Sequence, residues 1–138
     1  MTQPASSSAL TARQSATMTL AGIVLWYAAA LLLRGLSDAH LLGGASGALV
    51  FALIVPGTLP FVLLLQRLGR LSAEQMVPGY ALATTAALLC DGVAMTWHPT
   101  LYGADDLAAR LAAGAVIFGG AVGLALAFAV AVRMRARS

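Results

Sequence analysis

Four stretches of this chain run for about twenty residues each with hardly a charge, the length a helix needs to cross roughly 30 Å of hydrocarbon. That repetition limits the fold more than any motif does. The chain is 60% hydrophobic and 9% charged, with a mean hydropathy of +0.88. Soluble domains sit near about 45–50% apolar and about 25% charged, so the expected fold is an all-α, four-helix transmembrane bundle with short connections. The 138 residues suit one domain and leave no room for a soluble one.

Residues 1–16 are rich in Ser, Thr, Ala and Gln and carry too little apolar surface to order themselves. They are expected to form a disordered cytoplasmic tail. The transmembrane domain then spans 17–132, with helices over about 18–36, 43–65, 77–97 and 107–132, and a basic cytoplasmic tail at 133–138. Uninterrupted Leu31 to Leu33 favours an uncleaved anchor over a signal peptide for the first helix. Ser72 and Gln75 have capping-box spacing, while Pro78 suits the first turn of a helix, and a short turn before Pro78 reconciles the two signals. His98-Pro99 breaks the third helix, and Asp105 or Asp106 caps the fourth.

All eight basic residues are arginine, and six of them (Arg13, Arg67, Arg70, Arg133, Arg135, Arg137) fall on one side of this arrangement. Only Arg34 and Arg110 lie opposite. The positive-inside rule therefore places both termini in the cytoplasm. Trp97 and Tyr102 are expected in the outer aromatic belt, Tyr80 in the inner one, and Trp26 between helices near mid-membrane. The arginines imply contact with anionic lipid headgroups rather than nucleic acid, since no basic stripe alternates with aromatics. Arginine without lysine, with abundant Ala, Leu and Gly, points to a GC-rich bacterial genome.

One acid, Asp91, interrupts an apolar run, six residues before Trp97 and so about 9 Å inside the outer boundary. An unpaired Asp at mid-helix costs about 2.5–3.5 kcal/mol on insertion scales, and such a residue needs a partner, a proton or a watery cavity. Arg34, at a comparable depth in the first helix, is the expected partner in an intramembrane ion pair. That pair reads as a static clamp, with an ion, proton or solute path as the other reading. Pro56, Gly57 and Pro60 are expected to kink the second helix, with Thr58 satisfying freed carbonyls. Ala115, Gly119, Gly123 and Ala127 form a small-residue stripe in the fourth helix, suited to packing on helix one or three or to a homo-oligomer or partner subunit.

No enzyme constellation is present, and neither a cofactor nor a metal is expected; His40, His98, Asp38, Asp105 and Asp106 share the outer side without a ligand motif. Cys90 lies in an apolar setting beside an anion and reads as packing. Leu25-Trp26 with Arg34-Gly35, and Leu88-Leu89-Cys90-Asp91 with Pro99 and Leu101-Tyr102-Gly103, resemble a family of small four-helix bacterial membrane proteins of unknown function. The resemblance implies the four-helix fold and a bacterial inner membrane, and it brings no activity. The expected function is a non-catalytic structural or accessory subunit of a membrane complex, contacting it through helix four. The alternative is a minimal oligomeric transporter or channel that uses Asp91.

Overall fold

The computed structural model describes residues 9–137. Its elements are α1 (Ala12–Asp38), α2 (Gly44–Gly69), α3 (Met76–Trp97), a 3-10 turn (Pro99–Leu101) and α4 (Asp106–Arg135). All four helices are long and apolar enough to cross a membrane, which marks a multi-pass membrane protein.

The helix starts follow local chemistry. α1 begins at Ala12, six residues before its expected start, because Thr11 and Gln14 form a capping box and the Gln14 amide donates to the Gly69 carbonyl at 3.0 Å. Residues 9–16 are therefore not a free tail, while residues 1–8 lie outside the described part of the chain. Ser72 and Gln75 do exchange their two capping-box bonds, closing a turn just ahead of α3, and Pro78 falls in that helix's first turn. Asp105 is the cap of α4, its side chain accepting from the Ala108 amide at 2.9 Å.

Small residues line many of the contacts between helices, as expected where no hydrophobic effect drives association in lipid, and many large apolar ones face outward. Leu20, Val24, Leu49, Leu89 and Ile117 are exposed, whereas Ala30, Ala83, Ala112 and Ala127 are buried. α1 packs most extensively on α3 rather than on its sequence neighbour α2, and α4 packs on both α2 and α3. Gly22 allows the first of these contacts: a Cβ there would overlap the Ala83 carbonyl, so the two backbones touch directly.

Two buried clusters result. One, at the end holding the start of α1, gathers Met18, Val62, Leu65, Met76 and Tyr80; the other, at the opposite end, gathers Ala30, Leu33, Ala94, Tyr102 and Ala115. α2 touches α1 and α3 only lightly, and a cavity separates the clusters along its inner face.

Candidate functional site

Asp91 lies on the inner side of α3 with 7% of its surface exposed. Its Oδ1 accepts two hydrogen bonds, one from the Tyr102 hydroxyl at 2.5 Å and one from Trp26 Nε1 at 3.0 Å. The indole N–H also lies 2.9 Å from the Tyr102 oxygen. Indole, phenol and carboxylate therefore close a triangle joining α1, α3 and the α3–α4 connection.

Tyr102 reaches Asp91 because the chain folds back. Eleven residues of continued helix would carry it about 16 Å away. The break at His98 and the 3-10 turn at Pro99–Leu101 instead return it to the bundle, where it is fully buried. Gly103 completes the turn, since a Cβ there would stand 2.5 Å from that of Ala108 and hold α4 off. Burial, and next its bond to Asp91, raise the Tyr102 phenol above its ordinary pKa. It stays protonated and serves as a donor.

The expected ion pair between Arg34 and Asp91 does not form. Arg34 Nε binds Asp38 at 2.9 Å, one turn along the same helix, and Nη1 donates to the Thr100 carbonyl. Asp38 is half exposed, so this pairing demands little desolvation, whereas reaching Asp91 would bury a guanidinium. Two neutral donors meet the acid at lower cost. Tyr102 and Tyr80, both expected in aromatic belts, are buried within the bundle, while Trp97 is exposed. Trp26, expected only to pack between helices, supplies the acid's partner from α1.

The other expected site residues take structural places. Pro56, Gly57 and Pro60 lie within a continuous α2. The Thr58 hydroxyl donates to the Ile54 carbonyl at 2.7 Å, four residues back, and so misses the carbonyls freed by the prolines, those of Ala52 and Pro56. Of the α4 stripe, Ala115, Gly123 and Ala127 are buried within the protomer and Gly119 approaches Ile54 of α2. A Cβ on Gly123 would overlap the Tyr80 hydroxyl, so the stripe faces α3 and α2 inside the protomer, with Ala115 and Gly119 also lining a cavity. Among the described residues no three His, Cys, Asp or Glu side chains converge as a metal would require.

The cavity beside Asp91 has a volume of about 690 Å³ and draws on all four helices. Its rim includes the exposed Leu32 of α1 and Leu53, Gly57 and Phe61 of α2. Tyr80, Thr84 and Asp91 are the polar side chains that α3 contributes to its wall, and Asp91 is the charged one. Comparison of the chain with family models, with characterised proteins and with solved structures finds no match, so the resemblance to the four-helix family stands on its short motifs alone.

Proposed function

We propose that this chain is a non-catalytic integral membrane protein of the bacterial inner membrane, with both termini cytoplasmic, serving as a structural or accessory subunit of a membrane complex. The observation that carries this reading is the use of Asp91: its Oδ1 fastens three elements of one protomer together, as a fold-organising polar group would. The outward surface supports it. On α4, Ile117, Ala121, Ala125, Phe128 and Val132 are exposed, and the two alanines repeat at the four-residue spacing that lets a neighbouring helix approach. A partner helix would dock there rather than on the inward stripe of Gly123 and Ala127.

Affinity purification in mild detergent with mass determination tests the proposal. The expected result is a second polypeptide in fixed ratio, lost with Ala125→Leu; a lone protomer at every detergent concentration refutes it. The cavity at Asp91 favours the second reading, a minimal oligomeric transporter. Proton or solute flux in liposomes that vanishes with Asp91→Asn would replace the first reading with this one.

A further inference from the structure

The Asp91 carboxylate is used on one side only. Both donors converge on Oδ1; Oδ2 receives no hydrogen bond from any described residue, yet it is not among the sealed, unpartnered buried atoms. Asp91 lines the cavity of about 690 Å³, so Oδ2 is the polar atom the side chain presents there. No cationic side chain among the described residues pairs with it, since Arg34 is held by Asp38 and the Thr100 carbonyl.

The remaining walls are mostly apolar, with Thr58, Tyr80, Thr84 and the Trp26 indole as uncharged polar groups among them. Leu25, Ala29, Leu33, Ile54, Phe61 and Val116 enclose the space, and Gly57 leaves its rim open, a Cβ there meeting nothing within 4 Å. The rim faces outward between α1 and α2, the side from which a solute dissolved in hydrocarbon would enter. A volume of this size falls in the range of small-molecule sites, about 300–1,000 Å³. A largely apolar chamber whose single acidic group presents an uncompensated carboxylate oxygen complements a compact hydrophobic body carrying one positive charge that can also donate a hydrogen bond.

We propose that this cavity is a binding site for membrane-soluble amines, with the ammonium on Asp91 Oδ2 and the hydrocarbon body between α1, α2 and α4. Trp26 and Tyr102 hold the carboxylate from its other oxygen and fix its direction. The site is independent of any partner subunit.

The test uses the full chain in detergent micelles with three probes of one shape: 1-adamantylamine, 1-adamantanol and adamantane-1-carboxylate. Trp97→Phe leaves Trp26 as the sole tryptophan, whose fluorescence reports occupancy beside Asp91. The amine is expected to bind saturably, the alcohol more weakly, and the carboxylate not at all. Asp91→Asn keeps an acceptor for Tyr102 and Trp26 and is expected to weaken the amine by about tenfold or more while leaving the alcohol unchanged. Gly57→Phe, which fills the rim without touching the acid, is expected to abolish both. Equal binding of all three probes overturns the proposal, as does amine binding that Gly57→Phe leaves intact; the cavity is then a crevice for lipid chains. Should Asp91→Asn fail to fold, the ranking of the probes and the Gly57→Phe result decide alone.

Discussion

Removing one oxygen atom from the triangle at Asp91 separates its energetic role from its shape. Tyr102→Phe deletes a hydroxyl that is fully buried and that donates to Asp91 Oδ1 at 2.5 Å, while the ring and its packing remain. Hydrogen bonds to charged groups contribute about 1.5–3 kcal/mol in soluble proteins. Polar contacts between helices in lipid are weaker, averaging about 0.6 and reaching about 1.7 kcal/mol, because the dissociated helices find other partners. Trp26 continues to donate to Oδ1, so the acid is not left bare. The expected loss is therefore near the top of the lipid range, about 1.5 kcal/mol. In an Asp91→Asn background the acceptor is neutral, and the same hydroxyl should matter by only about 0.5 kcal/mol, a coupling of about 1 kcal/mol. Reversible unfolding by SDS in mixed micelles, followed by circular dichroism, measures all four corners of the cycle. A Tyr102→Phe variant within about 0.3 kcal/mol of the parent, or an equal loss in both backgrounds, would refute the reasoning.

Gly123→Ala should destabilise by about 1–3 kcal/mol through its clash with Tyr80 and be relieved by Tyr80→Leu. Gly92→Ala, where a Cβ meets nothing within 4 Å, should be neutral or stabilise by up to about 1 kcal/mol in the same assay. Arg34→Gln should cost less than about 1 kcal/mol, its pair with Asp38 being exposed, and exchanging the charges of Arg34 and Asp91 should not restore the membrane levels lost in Asp91→Arg, as read by immunoblot. If both termini are cytoplasmic as proposed, fluorescent-protein fusions at Ser138 should fluoresce and alkaline phosphatase fusions at Gly43 should be active; the opposite pattern would invert the proposed topology.

The helices were legible because hydrophobic length is additive along the chain, and the Ser72–Gln75 turn because its two bonds are local. The same signature at Thr11 and Gln14 is not legible in this way, since its neighbours are too polar to suggest a helix. Asp91 stood out on chemistry alone. Its partners did not, because charge complementarity points to Arg34, whereas the decisive term is the cost of burying a guanidinium beside two available neutral donors. Tyr102 looked like an interfacial aromatic until Pro99–Leu101 turned it inward, a fold-back set by tertiary packing. Nor could Gly22 be told from the other thirteen glycines, although it determines that α1 lies against α3.

The triangle at Asp91 also sets an order of events during synthesis. Trp26 precedes the acid by 65 positions and Tyr102 follows it by 11. When α3 leaves the ribosome its carboxylate can meet only the indole; the phenol arrives with the segment that leads into α4. Closure of the triangle thus requires α3 and the 3-10 turn that follows it, but none of α4. A chain stalled before Tyr102 carries an acid with one of its two donors missing.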